Sequence, residues 1–139
     1  MEISLEIITN LSPSICRQDT SRDPEGWTKE NPLYGHDDLI AILVWQELGG
    51  TILRSKARSK LHEREICYYH NLLADEKTKV DVAFKQFRGV YELSDARPYL
   101  NELGELVDQE ELEEYRKIIT RYWKFAKRFL DAVLVLDQK

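Results

Sequence analysis

The spacing of apolar residues changes character twice along this chain. From Leu39 to Leu48 almost every position is apolar (Leu-Ile-Ala-Ile-Leu-Val-Trp-Gln-Glu-Leu), with two aspartates before the run and Gly49-Gly50 after it. Asp at the start and a Gly pair at the end are the signals of a helix cap and a helix stop. A helix with so little polar face must bury most of its sides, so this run predicts a central helix, capped by Asp37 or Asp38, around which the other elements pack. Its N-terminus opens out of Asn31-Pro32-Leu33-Tyr34-Gly35-His36. Free backbone N–H groups and the helix dipole favour negative charge at such a point.

Further on, a three-four spacing takes over in Leu112, Tyr115, Ile119, Tyr122, Trp123, Ala126, Phe129, Leu130 and Val133. It predicts a long amphipathic helix whose stripe is core. Asp108 with Glu111 has the form of a capping box, and Glu110, Glu113 and Glu114 crowd the first turns, where the dipole favours anions. Ile118, Phe125, Leu134 and Leu136 fall partly off the stripe. The surplus aromatics make the 108–136 helix a candidate homo-oligomer face. Near the N-terminus, Ile3, Leu5, Ile7, Ile8, Leu11 and Ile15 read as a first helix interrupted by Pro13.

Between these helices the pattern is that of a small sheet. Asp19–Asn31 is a loop by its Ser, Asp, Pro and Gly content, pinned by Trp27. Thr51–Arg54 reads as a short strand and the basic segment Ser55–Arg64 as a mobile connection. Ile66–Leu73, rich in aromatic and apolar residues without helical spacing, reads as a strand. After a polar turn, Lys79–Ala83 returns antiparallel to it. That ladder places Asp81 near Tyr69 or Asn71, within about 5 Å for a directly opposed pair, and turns His70 away from Asp81. Phe84–Phe87 closes as a short turn, Tyr91–Leu93 is a brief extended piece, and Ser94–Leu103 holds a broken helical segment around Arg97-Pro98. The fold class expected is α+β: a buried central helix on a small antiparallel sheet, with a long C-terminal helix, in one domain over residues 1–139.

Composition narrows the function more than the fold. With 139 residues and 42% hydrophobic content the chain can build a core without a disulfide or metal staple. It has no run of eighteen apolar residues to cross a membrane and no secretory start, so a cytoplasmic location is expected. Cys16 and Cys67 stand far apart in no metal or redox spacing, and are expected to be free thiols. The net charge of −5 argues against a general nucleic-acid binder. Charge is uneven, at −6 over residues 1–50, +4 over 51–90 and −3 over 91–139. The basic Arg54–Arg64 segment has no interleaved aromatics for stacking on bases and reads as a solvated face.

A nucleophile at the start of a buried helix, a histidine on the next strand and a carboxylate on the one after is how papain-like and transglutaminase-like folds arrange a thiol triad. The helix end stabilises the thiolate, the imidazole takes its proton and the carboxylate orients the imidazole. This chain has that layout in Asp37, His70 and Asp81. Aspartate at the first position is a poor nucleophile but a good cap. His36 in the preceding loop can donate toward an anion. His36, Asp37, Asp38, His70 and Asp81 together offer imidazole and carboxylate ligands, but no tight spacing supports a metal, and none is expected. No phosphate-binding glycine loop and no serine elbow is present, so no cofactor is expected.

Thr20-Ser21-Arg22-Asp23-Pro24-Glu25-Gly26-Trp27, Asn31-Pro32, Gly35, the apolar helix with Gln46, Gly49-Gly50 and Ile52-Leu53-Arg54 together resemble the YunG-like family of small bacterial proteins. So do Tyr69, Asn71-Leu72, Asp81-Val82, Gln86-Phe87 and Arg121-Tyr122. In that family the helix opens with Gly-Gln-Cys, a strand carries His-Tyr-Trp-Asn and the next strand carries Asp-Leu, a set that resembles a papain-like or NlpC-like Cys-His-Asp site. The resemblance places His36 at the Gln, Asp37 at the Cys, Tyr68 at the His and His70 at the Trp. Asn71 and Asp81 keep the family's residues. Two of three triad positions have changed. The resemblance therefore implies a non-catalytic relative of a cysteine hydrolase, acting as a binding or interaction protein toward an unidentified protein or small-molecule ligand. The alternative is a hydrolase with a rebuilt site using His36, Asp37, His70 and Asp81, with or without metal.

Overall fold

The computed structural model describes residues 2–59, 65–86 and 91–138. It is an α+β fold. Helices α1 (Leu5–Ile15), α2 (Asp37–Leu48) and α3 (Leu112–Asp137) pack with strands β1 (Thr51–Ser59), β2 (Glu65–Leu72), β3 (Lys79–Val80) and β4 (Tyr91–Leu100). The strands form an antiparallel sheet in the order β3-β2-β1-β4. Among the described residues no helix is long and apolar enough to cross a membrane.

The apolar run forms α2 as its composition demands, and every residue from Asp37 to Val44 is buried. The cap differs from expectation. His36 is the N-cap, with no side-chain capping bond, and both aspartates lie inside the first turn. Asp38 Oδ1 accepts from the N–H of Leu39 at 2.8 Å, while the Asp37 carboxylate is drawn away to β2. At the other end Gly49 donates to the Trp45 carbonyl at 2.8 Å with φ +76°, the left-handed stop that glycine supplies.

Three segments of the sheet depart from the sequence reading. The connection expected from Ser55 is strand as far as Ser59, and residues 60–64 of it lie outside the described residues. Ser55 and Ala57 are buried while Lys56 and Arg58 are exposed, so the period of two is present but carried by residues too small and polar to announce it. The broken helix expected over Ser94–Leu103 is instead strand as far as Leu100, the end of β4, which lies on an edge of the sheet, where a proline such as Pro98 is tolerated. The register with β1 shifts between Arg54 and Lys56, beside Asp95 at φ +55°, the signature of a bulge. Lys79–Ala83 shortens to β3, and Val82–Gln86 closes as a 3-10 turn; Phe87 lies outside the described residues.

The long helix starts later than its capping box predicts. Asp108 Oδ1 accepts from Glu110 N at 3.0 Å and opens a 3-10 turn, Gln109–Glu111, ahead of α3. Glu111 does not reach back to complete a box. Its carboxylate meets Arg54 Nη1 at 3.0 Å and Arg97 Nη2 at 2.9 Å, because charged partners on β1 and β4 bind an anion better than one more N–H. The buried stripe of α3 is Ile118, Tyr122, Phe125 and Phe129. Ile118 and Phe125, read as off the stripe, are core; Trp123 and Leu130, read as core, are 72% and 58% exposed.

Candidate functional site

The first turn of α2 is the most heavily charged point of the interior. Asp37 and Asp38 are both buried, which is costly for carboxylates unless each is paired. Arg121, projecting from α3, holds Asp38 in a fork, Nη1 to Oδ2 at 2.8 Å and Nη2 to Oδ1 at 3.2 Å. The same guanidinium donates to the carbonyls of Thr20 at 3.0 and 2.9 Å and of Gly35 at 3.0 Å. One side chain thus ties α3, the N-terminal loop and the start of α2 together.

Asp37 is held from the other side. Its Oδ2 accepts the backbone N–H of Tyr69 at 2.9 Å, extending β2's hydrogen bonding where β3 has ended. Arg22 lies over it, Nη2 to Oδ1 at 3.1 Å. Burial pushes the Asp37 carboxyl up from its ordinary range while the Arg22 charge pulls it down. Arg22 in turn is raised, chiefly by Asp37. The space in front of this turn is a cavity of about 150 Å³ lined by Arg22, Tyr34, Gly35, Cys67 and Glu114 among others. Arg22, 34% exposed, stands in that cavity; the Asp37 side chain behind it is fully covered.

The strand residues meet as a second group. The β2–β3 register pairs Asn71 with Val80, so continuing it sets His70 opposite Asp81 rather than turned away. His70 Nδ1 lies 3.2 Å from Asp81 Oδ1, although without the alignment of a hydrogen bond. The expected proximity of Asp81 to Tyr69 or Asn71 was one residue out of step, and a one-residue slip changes which face a side chain occupies. On its other side His70 Nε2 meets Ser55 Oγ at 2.7 Å. Tyr68 stacks on His70 with ring centroids 5.4 Å apart, and Phe84 meets Tyr68 edge-on at 5.9 Å. Burial, then the charges of Asp81 and Asp37, push the Tyr68 phenol upward. Asn71 donates to the Ala41 carbonyl of α2 at 2.9 Å.

The family model described as YunG protein matches residues 5–127 of the chain. The chain belongs to the YunG family. Searches of curated proteins and of solved structures return no match to it.

For this YunG protein the expected grouping of His36, Asp37, His70 and Asp81 divides in two. His36 turns away from β2: its Nε2 meets Thr20 Oγ1 at 2.8 Å, its Nδ1 meets the Tyr34 carbonyl at 3.0 Å, and its ring packs toward Phe125. Among the described residues no three His, Cys, Asp or Glu side chains are placed to hold a metal ion. Of positions 37, 68 and 81, Tyr68 feels the charge of both carboxylates, that of Asp81 more than that of Asp37. Both cysteines are free thiols. Cys16 is buried with its pKa driven up by that burial, and Cys67 Sγ accepts from Arg54 Nη2 at 3.0 Å.

Sequence reasoning assigned no role to Arg22, Arg121 or Ser55. For the arginines a signal existed: two adjacent acids at the head of a buried helix require two cations. Ser55 carried none, because its partner His70 is fifteen residues away across a register that only the folded ladder defines.

Proposed function

We propose that this YunG protein is a non-catalytic relative of a cysteine-hydrolase-like fold and works as a binding or interaction protein. The observation that carries the reading is the condition of Asp37. The position that the family resemblance gives to the thiol holds a carboxylate bound to Tyr69 N–H and covered by Arg22. A nucleophile must reach a substrate carbon, and this group faces an arginine instead. The base position is Tyr68, whose raised phenol pKa makes it a poor proton acceptor near neutral pH. The interaction surface in this reading is the 108–136 helix, serving a homo-oligomer, another protein or a small-molecule ligand. The test is a panel of peptide, amide and glutamine substrates. No turnover is expected, and peptidase, amidase or deamidase activity that disappears in Asp37→Ala would overturn the reading.

A second reading, a hydrolase with a rebuilt site, is favoured by the contacts of His70 with Ser55 and Asp81. In it Nε2 would take the serine proton while Asp81 orients the ring. Ser55 is only 2% exposed and lies within a central strand, where it lines a cavity of about 470 Å³ with Arg54, Lys56, Cys67, Asp95 and Arg97. Labelling of Ser55 by a fluorophosphonate would support this reading; an unlabelled Ser55 in folded protein would end it.

A further inference from the structure

α3 carries two apolar stripes side by side, each with heptad-like spacing. Ile118, Tyr122, Phe125 and Phe129 face the protein's own core. Ile119, Trp123, Ala126, Leu130 and Val133 form the second, and a strict four-three alternation is the pattern of a helix seeking a helical partner. Trp123 is 72% exposed, Leu130 58% and Leu134 59%. This stripe is one wall of a groove of about 470 Å³ whose other wall is α2, with Ile42, Trp45 and Glu47.

We propose that two copies of this chain pair through this face by a two-fold axis, with their α3 helices antiparallel and crossing at Ala126. The inference rests on the reading of the protein as an interaction module and names its partner. Ala126 is the smallest residue of the second stripe and permits close approach. With the crossing there, Trp123 stands opposite Leu130 of the partner subunit, so each exposed ring meets the apolar groove of the other copy. A two-fold interface requires such self-complementarity, because a contact of i with j is repeated as j with i. The size is also adequate. An exposed aromatic presents on the order of 150–250 Å², so Trp123, Leu130 and Leu134 together offer roughly 400 Å². That is about half of the ~800 Å² that each partner of a standard interface contributes, and the groove walls supply further area.

The test is sedimentation equilibrium of the full chain over a hundredfold range of concentration. A monomer–dimer equilibrium is expected. Leu130→Glu and Trp123→Ala should each weaken it at least tenfold while the circular dichroism spectrum is unchanged, since both side chains lie outside the core. A protein monomeric throughout, a dimer indifferent to Leu130→Glu, or an open-ended series of larger assemblies each overturns the proposal. The substrate panel is run on the Leu130→Glu protein too. Turnover there would refute the non-catalytic reading, independently of the association result.

Discussion

Arg121 and Asp38 form a bidentate pair, 2.8 and 3.2 Å, between the middle of the last helix and the first turn of the central one. The pair spans 83 residues of sequence, and the same guanidinium satisfies two loop carbonyls. Removing it leaves the Asp38 carboxylate, whose side chain is 1% exposed, without its main partner. Arg121→Ala is therefore expected to cost about 3–5 kcal/mol, the range for breaking one side of a buried pair. Arg121→Lys should recover only part of this, because an ammonium cannot fork to a carboxylate and two carbonyls at once. Urea unfolding of the three proteins measures the order directly.

His36 supplies a pH dependence in a defined window. Burial lowers its pKa from 6.5 to about 4, against the opposing pull of the Tyr34 carbonyl and the Asp38 charge, with Arg121 adding to the lowering. The unfolded chain therefore takes up a proton on this ring before the folded chain does. Its contribution to stability is complete above pH 6.5, falls as pH drops, and has been lost by about pH 4. A shift of this size corresponds to roughly 3 kcal/mol. His36→Gln should flatten the stability profile between those limits. Asp19, lowered to about 2 by Arg128, acts only at more acid pH, and as a half-exposed pair contributes at most about 1 kcal/mol. Denaturant midpoints at half-unit pH steps separate the two.

The helices were legible in the sequence because their signal is local. The solid apolar run of α2, its glycine stop and the long periodic α3 need only neighbours within a few turns. The strands were legible only where large residues marked them. Tyr68, Tyr69 and Leu72 announced β2, but Ser55 and Ala57 in β1 form a strand because β1 pairs with β2, and the polar, proline-bearing β4 because it pairs with β1. The candidate site divides the same way. Asp37 could be put at the head of α2 from the chain, whereas the place of Asp81 beside His70 depends on a register fixed at Asn71–Val80. The arginines that neutralise Asp37 and Asp38 come from a loop and from a helix 83 residues distant, a pairing that no spacing rule contains.

If positions 37 and 68 are the corners of a former thiol site, restoring both should restore thiol reactivity, and restoring one should not. In a Cys67→Ala background the remaining native thiol, Cys16, is buried and stays inert. Asp37→Cys with Tyr68→His is expected to alkylate with iodoacetamide at pH 7 at least tenfold faster than Asp37→Cys alone, since an adjacent imidazole favours the thiolate. Equal rates for the two variants would mean that side chains at 37 and 68 do not meet, and would remove the geometric basis for a degraded triad.

Gly49 and Gly50 end α2 and begin β1, and they are expected to respond differently to the same substitution. Both have φ in the left-handed region, +76° and +86°. Gly49, with ψ −161°, occupies backbone space that is essentially reserved for glycine. A Cβ there meets no atom within 4 Å, so Gly49→Ala should cost only the backbone term, of order 1–3 kcal/mol. At Gly50 an added Cβ also runs into the Leu72 carbonyl, with the Leu73 Cα at 2.8 Å. Those are backbone atoms next to the β2 ladder and cannot rotate aside. Gly50→Ala should therefore be the more damaging of the two, and its effect should spread into β2, because the displaced Leu72 is paired with both Thr51 and Lys79. Amide exchange distinguishes the cases. Gly49→Ala should leave protection along Tyr68–Leu72 unchanged, whereas Gly50→Ala should lower it, and equal loss in both would show that φ alone governs this turn.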